Sequence, residues 1–149
     1  MIPAMQTLIF DRDFDLPPEQ VFEFFSEHEN LGDTLGAKIT RVKDGDDGTR
    51  NGVGSVRSIK VGPTPPFEET VTESIPGELI RYRITKGSPL KDHAGELVFT
   101  TTESGTHLRW TISFRTGVPG LENLIALGLK RTINKGLAEA DPAGLTLAL

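Results

Sequence analysis

From about Val53 to Arg115 the chain alternates apolar and polar residues with a period of two, broken at short turn- and loop-forming stretches. That is the pattern of consecutive antiparallel strands with one face toward a core. Val53, Ser55, Arg57, Ile59 and Val61 share one face of the first of these strands, against Gly54, Val56, Ser58 and Lys60. Phe67, Glu69, Val71, Glu73 and Ile75 share a face of the next. The turn GPTPP, centred near Pro63, then sets Arg57 opposite Glu69 and Ile59 opposite Phe67.

The same reasoning extends the sheet. The Pro76-Gly77 connection pairs Val71 with Tyr82 and Glu73 with Ile80, so Ile80, Tyr82 and Ile84 join the inner face. Leu97, Phe99 and Thr101 follow, then a Ser104-Gly105 turn, then Leu108, Trp110, Ile112 and Phe114. A two-residue turn there pairs Phe99 with Trp110 and Leu97 with Ile112. On this register His93 faces inward as the one interior histidine, His107 pairs with Thr102 and points outward, and His28 sits near the end of a helix.

Before these strands, Thr7 to Phe14 alternates as a strand, with Arg12 as the exception on its inner set of Leu8, Phe10 and Phe14. Pro17 and Pro18 open a short helix, with Asp15 as a cap and Val21, Phe22, Phe24 and Phe25 as its apolar side. EHENLGDTLG adds at most another helical turn, and Ala37 to Lys43 is a weakly patterned strand. DGDDGTRNG is a loop; it lacks the twelfth-position Glu of a calcium loop, so no metal site is expected. The chain closes with a helix from about Pro119 to Ala140, whose apolar arc is read as Leu121, Leu124, Ile125, Leu129 and Ile133. Gly128, Thr132 and Gly136 at i, i+4, i+8 are read as a small-residue line on that arc, either tight packing or one wall of a cavity.

Composition excludes several classes of function. The absence of cysteine removes disulfides, thiolate metal sites and cysteine nucleophiles. A net charge of -5 with mixed signs along the chain gives no basic stripe for nucleic acid. No segment approaches the roughly 18 apolar residues of a membrane span, and the start lacks a signal-peptide pattern. The expectation is a single domain over residues 1–149, cytoplasmic, monomeric or homodimeric, without membrane insertion, metal or cofactor.

The segments DLPPEQVFEFF, NGVGSVRSI, FEETVTESIPGELIRYRI and HAGELVFTTTESGTHLRWTISFR, followed by the long final helix, resemble in this order the START and birch-pollen-allergen-like superfamily, SRPBCC. Within it the chain is most similar to bacterial polyketide cyclase/dehydratase-like proteins. The resemblance implies an α+β helix-grip fold: a curved seven-stranded antiparallel sheet wrapped around a long C-terminal helix, with two short helices after the first strand. It also implies a hydrophobic cavity between sheet and helix, and it carries no catalytic signature.

The inner polar residues are Arg57, Glu69, Tyr82 and His93, with Glu73 nearer its strand end. Arg57 and Glu69 either form an ion pair or hold a ligand. The expected ligand contacts are Arg57, Ile59, Phe67, Glu69, Val71, Tyr82, His93, Phe99, Trp110, Gly128 and Thr132. Three functions fit: binding or transport of a hydrophobic small molecule (lipid, polyketide, isoprenoid or aromatic metabolite), acid/base catalysis of the cyclase or dehydratase type, or a protein-interaction module. In the enzyme reading His93 or Glu69 is the general base, and Arg57 or Tyr82 stabilises the oxyanion.

Overall fold

The alternating segments assemble into one antiparallel sheet of seven strands in a computed structural model that describes residues 5–142; the ends of the expected 1–149 domain lie outside the described residues. The strands are β1 (Gln6–Phe14), β2 (Ala37–Lys43), β3 (Val56–Val61), β4 (Phe67–Ile75), β5 (Leu79–Lys86), β6 (Lys91–Thr101) and β7 (Thr106–Arg115). Their spatial order is β1-β7-β6-β5-β4-β3-β2, so the chain meanders from β2 to β7 and β1 closes the far side. Between β1 and β2 lie helix α1 (Pro18–Ser26), a 3-10 turn (His28–Leu31) and the four-residue α2 (Gly32–Leu35). Helix α3 (Leu121–Glu139) ends the fold.

The inner face is apolar because the alternation makes it so. Leu8, Phe10, Ile80, Leu97, Phe99, Leu108, Trp110, Ile112 and Phe114 are buried together with Val21, Phe22, Phe24 and Phe25 of α1. Phe25 is the hub: its ring meets Phe14 edge-on at 5.8 Å, Phe24 at 5.2 Å and Trp110 at 6.4 Å. Such edge-to-face contacts add about 1 kcal/mol each beyond area burial.

The register is as expected at β3–β4, where Arg57 faces Glu69 and Ile59 faces Phe67, and at Val71–Tyr82. It departs in two places. A bulge between Val71 and Glu73 inserts one residue into β4, so Glu73 faces Arg81 and not Ile80. Glu73 is thereby turned off the inner face, and Arg81 Nη1 donates to its carboxylate at 2.6 Å. The β6–β7 connection is four residues long, closed by Thr102 N to Gly105 O at 2.9 Å. Leu97 therefore faces Trp110, Phe99 faces Leu108 and His107 faces Thr100. The shift is even, so the correct side chains still point inward.

Asp15 does not cap α1: the N-cap is Pro17, whose carbonyl accepts from Gln20 N and Val21 N, and no side chain caps the turn. Arg12, the odd cation on the inner set of β1, reaches the C-terminal end of α3. Its Nη1 donates to Ala140 O at 3.1 Å while the guanidinium lies 4.4 Å from the Phe14 ring centroid, a favourable place for a cation.

Helix α3 faces the core with Ala126, Ile133 and Leu137, and Ala140 just past its end, flanked by part-buried Ile125 and Leu129. It touches β1 and α2. Leu124 is not on this arc and is 67% exposed. At 100° per residue Leu124 sits roughly 180° from Ile133, and Gly128 roughly 140°. Leu124 and Gly128 therefore belong to the outer side. Gly128 is exposed with open space where a side chain would go, Thr132 is part-buried and Gly136 is buried. The expected small-residue line thus runs obliquely off the core face.

Candidate functional site

Under the sheet's concave face, closed by the segment after α1, lies a cavity of about 70 Å³. Its apolar walls are Phe25 from α1, Leu31 and Leu35 from the turns, Ala37 and Ile39 from β2, Ile59 from β3, Leu97 from β6 and Trp110 from β7. Three further residues bring polar atoms: His28, Glu69 and Tyr82. No residue of α3 lines it, so the cavity lies between the sheet and the short helices and not against the C-terminal helix. At roughly 30 Å³ per water in the liquid it has room for about two.

Tyr82 stands at the centre of the polar end. Its ring lies opposite Gly95 on β6, and a side chain on Gly95 would overlap it. The His28 ring packs against it edge-on at 5.8 Å and the His93 ring at 5.7 Å. Trp110 Nε1 donates to Tyr82 Oη at 2.9 Å. Burial, then the charge of nearby Glu69, hold the phenol well above its usual range, so it remains protonated.

Glu69 is part-buried, and burial pushes its carboxyl up to about 7 even though Arg57 pulls the other way. The carboxyl has no hydrogen-bond or ion-pair partner among the described residues. Arg57 lies across the strand pair from it but points elsewhere. The residue is 0% exposed; its Nε donates to Glu29 Oε1 at 3.3 Å, Nη1 to Ser55 Oγ at 3.1 Å, and Nη2 to Ser26 O at 3.0 Å and to Asn51. The expected Arg57–Glu69 ion pair is replaced by an Arg57–Glu29 pair, because the 3-10 turn brings a carboxylate, and the last residue of α1 a carbonyl, to the guanidinium. Arg41 and Arg50 complete this network around Glu27 and Glu29, tying the turn to β2 and the following loop. Spent in this way, Arg57 does not reach the cavity.

His28 was expected outside the interior and is buried instead, its imidazole lowered to about 3 by burial and then by Arg57. His93 is buried as expected, lowered to about 4 by burial and then by Arg83. Its Nδ1 accepts from Ile84 N at 3.0 Å, which puts the neutral ring's proton on Nε2.

Of the expected ligand contacts, Ile59, Glu69, Tyr82 and Trp110 line the cavity. Arg57, Phe67, Val71, His93, Phe99, Gly128 and Thr132 do not. Phe99 is spent in the core against Phe22, at 5.4 Å, and Val71 is core. His28, Leu31 and Leu35 were missed because EHENLGDTLG shows only two leucines, although their spacing of four residues was a usable signal.

Among the described residues no group of three His, Cys, Asp or Glu could hold a metal ion, and no helix is long and apolar enough to cross a membrane. A comparison with curated protein sequences gives no match. Among solved structures, the chain is similar to the Zhui aromatase/cyclase from Streptomyces sp. R1128, with a TM-score of 0.72, 18% identity, and coverage of 91% of this chain and 93% of that one. It is also similar to norcoclaurine synthase of Thalictrum flavum, with a TM-score of 0.67, 14% identity, and coverage of 90% and 92%. Ara h 8.0201 matches with a TM-score of 0.64, 15% identity, and coverage of 90% and 95%. At these identities the likeness establishes the helix-grip fold. With a sequence profile matching residues 5–141, the chain belongs to the family described as polyketide cyclase/dehydrase and lipid transport.

Proposed function

We propose that this protein binds an apolar small molecule in the cavity between the sheet and the short helices, with Ile59, Trp110, Leu97 and Phe25 as apolar walls and Glu69, Tyr82 and His28 at the polar end. The observation that carries this reading is a pocket of apolar side chains with few convergent polar groups, one of them an unpaired carboxyl. Ligand sites usually exceed roughly 300 Å³, so an occupant of more than a few heavy atoms displaces a wall. Residues 28–35 are the wall built to yield: one 3-10 turn and one four-residue helix, with Leu31 and Leu35 as its only two leucines toward the cavity. Native mass spectrometry of protein purified from its own host tests this. A retained apolar molecule, lost in Ile59→Trp, supports it; protein that is empty and takes up no apolar probe overturns it.

Acid/base catalysis on the same ligand is favoured by one specific observation, the Glu69 carboxyl at about 7 beside a protonated phenol. A carboxyl so placed exchanges a proton at working pH, and Tyr82 would stabilise a developing oxyanion. Turnover of the retained molecule that vanishes in Glu69→Gln while binding persists separates this reading from simple carriage.

A further inference from the structure

Tyr82 has one hydroxyl and, on the protein side, one use for it. An indole N–H can only donate, so the 2.9 Å bond from Trp110 occupies the phenol oxygen as an acceptor. The hydroxyl's own proton must point away from the indole, and no acceptor among the described residues lies within hydrogen-bonding distance of it. Tyr82 lines the cavity, so an unspent donor stands at an apolar wall. A buried donor left unmade is costly, and the group that relieves it is an acceptor brought by a ligand.

The charge of that acceptor follows from what surrounds it. Among the described residues no Lys or Arg lines the cavity, the guanidinium that acts on Glu69, Arg57, is spent on Glu29, Ser26, Ser55 and Asn51, and both histidines beside Tyr82 are neutral. An anionic head group would enter a desolvated space without a counter-charge and beside the Glu69 carboxyl. A ketone or similar carbonyl carries an acceptor without that cost.

Resting on the cavity-binding reading above, we propose that Trp110 is a positioning residue that turns the Tyr82 hydroxyl proton into the cavity, and that the site thereby selects apolar ligands with an uncharged carbonyl acceptor over carboxylates.

Three single-ring probes test this in NMR titrations of the whole protein at neutral pH: ethylbenzene, its carbonyl analogue acetophenone, and benzoate. Trp110 is the only tryptophan, so its indole N–H signal reports the site directly, and in Trp110→Phe the backbone amide of Gly95, opposite Tyr82, reports in its place. The expected result is acetophenone about fivefold tighter than ethylbenzene, as one net hydrogen bond implies, with benzoate weakest. Tyr82→Phe should abolish the preference and Trp110→Phe should at least halve it, read as the ratio of acetophenone to ethylbenzene affinity within each variant, so that a change of cavity volume felt by both probes cancels; a merely structural role would weaken all the probes alike and leave that ratio where it was. Equal binding of acetophenone and ethylbenzene to the unaltered protein, or benzoate binding best, overturns the proposal while the cavity reading stands. An unchanged preference in Trp110→Phe overturns the role of Trp110. If none of the three binds, the cavity reading itself fails and the proposal with it.

Discussion

Gly95 lies opposite Tyr82 across β5 and β6, and a β-carbon placed on it would overlap the phenol ring. The ring cannot step aside easily, since the His28 and His93 rings flank it and Trp110 is bonded to its hydroxyl. Gly95→Ala is therefore expected to destabilise the fold by about 2 kcal/mol, in the range of core overpacking. Urea denaturation measures the loss. Most of it should disappear when the same change is made in Tyr82→Ala, because the collision is with that one ring.

Arg57 yields the opposite expectation from a ligand-holding residue. Arg57→Met keeps most of the volume but strips Ser26 O, Ser55, Asn51 and Glu29 of a shared donor. The cost should be about 3 kcal/mol, as for breaking a buried ion pair from one side. The affinity of the folded variant for acetophenone should stay where it was. A stable variant with lost affinity would show that the guanidinium reaches the ligand after all.

Glu69 and His28 give opposing pH dependences. A carboxyl that keeps its proton up to about 7 in the fold, but releases it near its ordinary 4.5 when unfolded, favours the fold at low pH; that contribution is lost as pH rises from 4.5 through 7. His28, lowered from 6.5 to about 3, does the reverse: its neutral form suits the fold, and stability falls as pH drops below 6.5. His93 acts in the same sense as His28 down to about 4. Glu69→Gln removes the first effect alone. The variant should be more stable than the parent at pH about 8, by up to about 3 kcal/mol, with the difference closing toward pH about 4.5. Unfolding midpoints across that pH series test the sign, and a gap that widens on acidification would contradict it.

How much of this was legible before the structure depends on the kind of residue. Alternation placed Ile59, Glu69, Tyr82 and Trp110 on the inner face correctly, because a period of two survives even the two-residue shift in the β6–β7 pairing. Glu73 was not legible, since one bulge residue at Thr72 reverses the face and leaves no mark in an alternating pattern. Arg57 was placed inside correctly, but its partner was not readable. Glu29 sits 28 positions away on a short turn, and only the tertiary fold brings the two together. His28 escaped for the same reason.

Helix α3 shows the last failure and supplies its test. Its apolar arc was gathered by residue type, and Leu124 pulled the arc toward a face that the phase of Ala126, Ile133 and Leu137 does not share. Gly128 stands on that exposed face with nothing near its missing side chain. Gly128→Ala is thus expected to stabilise the protein by up to about 1 kcal/mol through helix propensity, and Gly128→Leu should leave probe binding unchanged. Ala37→Leu makes the contrast, adding three carbons to a wall of a cavity of about 70 Å³, and should abolish ethylbenzene and acetophenone binding while the fold persists. Paired thermal melts and NMR titrations of these variants decide which surface the ligand uses. If Gly128→Leu blocked binding and Ala37→Leu did not, the site would lie against the C-terminal helix and not beneath the short ones.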